Sequence, residues 1–145
     1  VETNDPYHLQ RFLTAQAASY ERALRELHGG RKLTHWIWYI FPQVAGLGHS
    51  PTAQEYAIHS KQEAIAYLAH PVLGHRLRQC CAALLEHSGK PIAHIMGYPD
   101  DLKLRSSMTL FAAVSEADNI FARILATFYA GNSDANTIAF LSADD

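Results

Sequence analysis

Two segments of the chain combine residue types that can do chemistry. The run Asp100-Asp101-Leu102-Lys103-Leu104-Arg105-Ser106-Ser107 places two carboxylates, two cations and two hydroxyls within eight positions. Paired carboxylates divide acid and base roles when burial raises one pKa, and a neighbouring Lys or Arg clamps an anionic group. The plainer reading is ordinary helix chemistry, and from the residues alone it is the favoured one. Asp100 or Asp101 then caps a helix, Lys103 and Arg105 are solvated, and Ser106 and Ser107 permit close packing. The serines lie in no nucleophile-elbow pattern, so a serine hydrolase has little support.

The second segment, His35-Trp36-Ile37-Trp38-Tyr39-Ile40-Phe41-Pro42-Gln43, holds both tryptophans and ends beside Gly46-Leu47-Gly48. For Trp36, Trp38 and Phe41 the favoured reading is a core plug, because large rings bury wide areas and drive packing. The sharper reading is a ligand wall, in which an indole stacks on a ring while His35 and Gln43 give directional polar contacts. Gly46 and Gly48 lead through His49 into Ser50-Pro51, a serine cap at a helix start. Free amides there attract anions. The segment lacks the Lys and the full spacing of a phosphate loop, so a simple turn is the better reading.

Nine histidines are many for this length, but neither an H-E-x-x-H motif nor a Cys/His finger occurs. No metal site is expected on that basis. Cys80 and Cys81 are adjacent, where a bridge would strain the backbone and close no useful loop, so they read as small buried hydrophobes in a reducing compartment. Arg25, His28, Arg31 and Lys32 follow one another near a helix end and offset its negative pole, a phosphate grip being the minor alternative.

These groups must be positioned by a scaffold, and the composition supports one. The 145 residues are 48% hydrophobic and 18% charged, which suits a single domain over 1–145 that buries roughly two-thirds of its unfolded surface. Twelve Lys+Arg against fourteen Asp+Glu leave a formal charge of −2, so dedicated nucleic-acid binding is not expected. The longest strongly apolar run, Trp36 to Phe41, is far short of a membrane span, and the acidic start at Val1 to Asp5 is unlike a signal peptide. A cytoplasmic location is the expectation, with Val1 suggesting a trimmed start.

Helical spacing recurs throughout. Asp5-Pro6 starts a helix through Leu27, bent near Ser19 and ended by Gly29-Gly30, and Ser50-Pro51 and Ser60-Lys61-Gln62-Glu63 open two short ones. Leu73, Leu77, Cys80 and Leu84 form the clearest stripe, starting after Pro71, and Pro91 to Met96 adds a turn before a tight corner at Gly97 and Pro99. Residues 101–106 alternate like a strand, yet Leu104, Met108 and Phe111 continue with helical spacing, and a helix is chosen. Ser115 is expected to cap the next helix and Asp134 the last. The fold class is therefore all-α, with about six to eight helices.

Three strings carry a resemblance: HWIWYIFPQVAGLG at 35–48, YAIHSKQEAIAYLAHPVLGHRL at 56–77 and GYPDDLKLRSSMTLFA at 97–112, together with Ala15-Gln16. On these the chain resembles a bacterial and fungal family of unknown function whose members are often labelled calpastatin-like. The resemblance implies a compact, mostly helical domain and no established reaction. The family's characteristic positions here are His35, Trp36, Trp38, Phe41, Pro42, Gln43, Gly46, Gly48, Asp100, Asp101, Lys103, Ser106, Ser107 and Thr109. Calpain inhibition is not expected, because inhibitor segments of that kind are disordered and polar, whereas this composition builds a core.

The two segments singled out by chemistry coincide with those strings, and the expectation is one pocket between 35–48 and 100–109. Its ligand would be an anionic, ring-containing metabolite. Trp36 or Trp38 would stack on the ring, Gln43, Gly46, Gly48, Asp100, Ser106 and Ser107 would line the site, Lys103 or Arg105 would face the anion, and His35 and Asp101 would offer acid or base. The residues name no cofactor and do not decide whether the domain is an enzyme. The alternative is an interaction module whose aromatic segment meets a partner or a second copy, the chain being a monomer or weak homodimer.

Overall fold

In the computed structural model, which describes residues 4–143, ten helices follow one another. They are α1 (Gln10–Ala17), α2 (Tyr20–His28), α3 (Ile37–Ile40), α4 (Pro51–Glu55), α5 (Lys61–Ala69), α6 (Leu73–Leu85), α7 (Ile92–Met96), α8 (Asp100–Ala113), α9 (Ile120–Tyr129) and α10 (Ala135–Ala143). Among the described residues β-pairing is confined to an isolated parallel bridge between Val44 and Ile58, and no helix is long and apolar enough to cross a membrane. The reading of Val1 to Thr3 lies outside the described residues.

The all-α expectation holds, but there are ten helices rather than six to eight. Two local effects account for the difference. The apolar spacing from Leu9 to Leu27 reads as one helix, yet Ser19 leaves helical geometry at φ −134°, and its hydroxyl donates to the Ala15 carbonyl, separating α1 from α2. The aromatic run also winds into a single turn, α3, bounded by extended φ values at Trp36 and Phe41. One turn of large rings carries no periodicity to read.

Caps decide most boundaries. Ser50, Ser60 and Asp134 accept from Ala53 N, Glu63 N and Thr137 N as their spacing predicts. Two caps differ from expectation. Asp5 reaches forward to accept from Leu9 N and Gln10 N, so α1 begins at Gln10 rather than Pro6. Asn119, not Ser115, caps α9 by accepting from Ala122 N; Ser115 instead donates back to Phe111 O at the end of α8.

Two helices carry the core. α6 packs on α2, α5 and α9, and α8 packs on α3, α5, α7, α9 and α10. The stripe Leu73, Leu77, Cys80 and Leu84 is buried, as are Leu104, Met108 and Phe111 of α8. A file of rings crosses the interior from Phe12 to Tyr67, Phe111 and Phe121, with centroids 5.1, 5.4 and 5.8 Å apart in turn. Gln16 is buried among them and satisfied: its amide donates to Tyr39 O and the Tyr67 hydroxyl, and its oxygen accepts from Arg76. Four helices are thereby tied by one side chain.

Candidate functional site

Glu26 organises the segment between α2 and α3. It occupies the buried face of α2 with Ala23 and Leu27, and its carboxylate turns toward the chain that follows. Oε1 accepts from Leu33 N at 2.7 Å, Thr34 N at 3.0 Å and the Trp36 indole at 3.0 Å, while Oε2 accepts from the Thr34 hydroxyl at 2.7 Å. Burial alone raises the pKa of this carboxyl, but the four donors outweigh it and hold it down at about 2. Trp36 is thereby a core residue, 1% exposed.

The loop so fixed presents Lys32. Its backbone N–H donates to Ile95 O at 2.6 Å. Its ammonium donates to Thr34 O at 2.7 Å, pairs with Asp100 Oδ2 at 2.7 Å and lies 5.0 Å from the Trp36 ring. Asp100 Oδ1 is 3.6 Å from Lys103, whose ammonium stands 5.4 Å from the ring of half-buried Trp38. This contact joins the two segments that the sequence singles out.

α8 divides its polar residues between two faces. Asp100, Lys103 and Ser107 lie at i, i+3 and i+7, and the first two meet the Lys32 loop and α3. Asp101, Arg105 and Thr109 lie on the side of α9 and α10. The Tyr129 hydroxyl donates to Asp101 O at 2.6 Å, Arg105 is 3.9 Å from Asp134 Oδ1, and the Thr109 hydroxyl accepts from Asp134 N. Burial, with the Asp101 charge adding to it, pushes the Tyr129 phenol far above its ordinary pKa against the opposing effect of Arg105. Three buried polar atoms among the described residues have no hydrogen-bond partner, and all belong to α8: Asp101 Oδ1, Arg105 Nε and Ser107 Oγ.

The other sequence-selected residues are spread out. His35 is exposed, its carbonyl accepting from the Tyr39 hydroxyl, and among the described residues no hydrogen bond or ion pair joins it to Asp101. Gln43 and the chain after it pair with the segment before α5: Gln43 O accepts from Ile58 N, and Ala45 N donates to Ile58 O. Gly46 is exposed at φ +94°, a conformation that favours glycine, and a Cβ on Gly48 would crowd Ala53. Ser106 is buried and donates to Leu102 O within its own helix. Both cysteines are free and buried, and burial pushes the Cys80 thiol up to about 12.

None of five surface concavities is lined jointly by 35–48 and 100–109. The concavity that touches the cluster is a groove of about 590 Å³ where the loop after α2 faces α7, lined by Arg31, Lys32, Lys90 and His94 with Gly30 and Gly97. No carboxylate lines it. Lys90 bridges the groove to Gly30 O at 3.2 Å, and Leu33 and Tyr98 stand beside it, 70% and 80% exposed. Sequence reasoning placed Lys32 at a helix pole, with a phosphate grip as the minor alternative, and missed Glu26 and Tyr129. A signal existed for Glu26, which falls in the apolar stripe of α2, whereas nothing local marks Tyr129.

A family described as "Protein of unknown function (DUF1810)" matches residues 6–141. Among solved structures, the conserved hypothetical protein Rv1873 from Mycobacterium tuberculosis is similar at 48% identity and a TM-score of 0.93, over 95% of this chain and 99% of that one. No curated protein matches the chain. With the match spanning nearly every described helix, the chain belongs to this family of proteins of unknown function, DUF1810.

Proposed function

We propose that this domain binds a small anionic, ring-containing molecule at the corner where the segments after α2 and at the start of α8 meet. The observation that carries the reading is the groove lined by Arg31, Lys90 and His94 with no carboxylate in its lining, Lys32 at its edge being already paired with Asp100. Such a surface suits an anion; the exposed Tyr98 follows the lining residue Gly97 in the chain, and the half-buried Trp38 ring is reached from Lys32 through Asp100 and Lys103. Lys103 and Asp100 orient the Trp38 side, whereas Arg105 lies against Asp134 on the other side of α8 and Ser107 is fully buried. His35 and Asp101 are the groups offered for proton transfer, and binding alone does not require them. Calpain inhibition is no part of this reading.

The test is a thermal-shift and calorimetric screen of nucleotides and sugar phosphates. A ligand is expected whose affinity falls at least about tenfold in Arg31→Ala/Lys90→Ala, the loss expected when two charge-assisted contacts disappear. Affinity should also drop in Trp38→Ala. Ligands indifferent to these changes, or no ligand at all, would sink the proposal.

A second reading has its own observation. Leu33, Tyr98 and Leu102, exposed by 70%, 80% and 40%, lie on the loop and corner that Lys32 joins to α8. Exposed apolar residues on neighbouring segments suit a partner protein or a second copy. Sedimentation that rises with concentration and is reversed by Tyr98→Ser would favour this reading; concentration-independent sedimentation would remove its self-association form.

A further inference from the structure

A second concavity, at a different place on the molecule, has the opposite make-up. It begins with a close approach between α5 and α6. A Cβ on Gly74 would collide with the Leu68 carbonyl oxygen and stand 2.9 Å from Arg78 Nη1. Because Gly74 has none, the Arg78 guanidinium reaches back to donate to Leu68 O at 3.4 Å, and lies 5.9 Å from the ring centre of Phe121. A guanidinium held by a carbonyl on one side and a ring on another is pre-set, with further N–H groups to spare.

Arg78 borders a groove of about 670 Å³ between α5, α6 and the turn from α8 to α9. Ile65, Leu68, Val114 and Ile120 form its apolar surface, Ile65 being 48% exposed. Arg123 supplies a second guanidinium and Glu116 the groove's one carboxylate. Neither arginine is within ion-pair distance of a carboxylate among the described residues. Two cations against one anion leave a single positive charge uncompensated beside an apolar floor.

We propose that this groove binds an amphiphilic monocarboxylate. Its apolar chain lies against Ile65, Leu68, Val114 and Ile120, and its carboxylate accepts from Arg78 and Arg123. The volume falls within the range of small-molecule sites, and a planar guanidinium matches a carboxylate fork. One surplus charge balances a monoanion, while a dianionic phosphate head would meet repulsion from Glu116. The proposal is independent of the cationic groove, which shares none of these residues.

The test is a titration of the full chain with sodium decanoate, decanol and decyl phosphate below their aggregation limits, followed by amide chemical shifts. Shifts centred on Ile65, Val114 and Ile120 are expected, with decanoate binding about tenfold more tightly than decanol, the loss expected for one charge-assisted contact. Arg123→Met, on the exposed side of α9, should erase that preference without loss of fold, and Arg78→Met should do the same. Absent or scattered shifts would overturn the proposal, as would equal affinity for decanol or tighter binding of decyl phosphate. Sedimentation that rises with concentration and is abolished by Ile65→Asp would also overturn it, by giving the surface to a second copy of the chain.

Discussion

Trp36 and Trp38 stand two residues apart on the same short segment, yet they belong to different regions of the molecule. Trp36 is sealed in the core, its indole donating to a carboxylate that also gathers the loop before it. Trp38 is half-buried at an edge, one face toward the Lys103 ammonium. The difference lies in the partner. A buried N–H needs an acceptor, and Glu26 provides one from another helix, whereas an exposed ring face needs nothing and can accept a cation or a ligand. The core region is therefore where polar groups specify structure, and the edge is where the same residue types stay available.

Glu26→Ala should break the core side of this contrast most severely. Four donors lose their acceptor, one of them on a sealed ring, and a loss of about 4 kcal/mol is expected from leaving several buried donors unpaired. Urea unfolding checks it; a loss under about 1 kcal/mol would mean that the loop finds other acceptors. The same carboxyl has a pH signature. Its folded pKa, held down at about 2 from 4.5, makes its stabilisation complete above pH 4.5 and lost as pH falls toward 2. Glu26→Gln should flatten that part of the acid unfolding curve, and an unchanged curve would assign acid sensitivity to other groups.

Lys32→Met tests the link between the regions. The Lys32 side chain is 5% exposed and that of Asp100 19%, so removing the cation leaves a mostly buried carboxylate with only Lys103 nearby, at an expected cost of about 2 kcal/mol. Lys103→Met, at 31% exposure, should cost no more than about 0.5 kcal/mol. Equal losses would show that Asp100 depends on both cations alike.

The tryptophans themselves give the finest test. Trp36→Phe deletes the indole donor and should cost about 2 kcal/mol, while Trp38→Phe should stay within about 1 kcal/mol and act on ligand affinity instead. Matching destabilisation by the two would erase the distinction between core and edge.

Local patterns were legible where one helix carries its own information. The stripe at Leu73, Leu77, Cys80 and Leu84, the caps at Ser50, Ser60 and Asp134, and the preference for a helix over 101–111 all follow from spacing and short-range hydrogen bonds. Reading failed where a side chain had a choice of partners. Ser115 and Asn119 both suit a cap, and Asn119 takes it because its amide also reaches Ala112 O and Glu116 O, closing the turn. Asp100 and Asp101 are alike in type, but one residue of helix turns a side chain by roughly 100°. The Asp100 carboxylate meets Lys32, while the Asp101 carboxylate lies near enough to Tyr129 for its charge to raise that phenol's pKa.

Composition and periodicity thus determined that this chain builds an all-helical core and where most of its helices lie, because burial of an apolar stripe depends on spacing alone. Only the tertiary structure decided that Glu26 sits beneath Trp36, that Lys32 rather than His35 meets the acid at the start of α8, and that the cations at 31, 32 and 90 share one groove. Those contacts join residues from separate helices. Their energies depend on which charges and donors face each other after packing, and no local pattern encodes that.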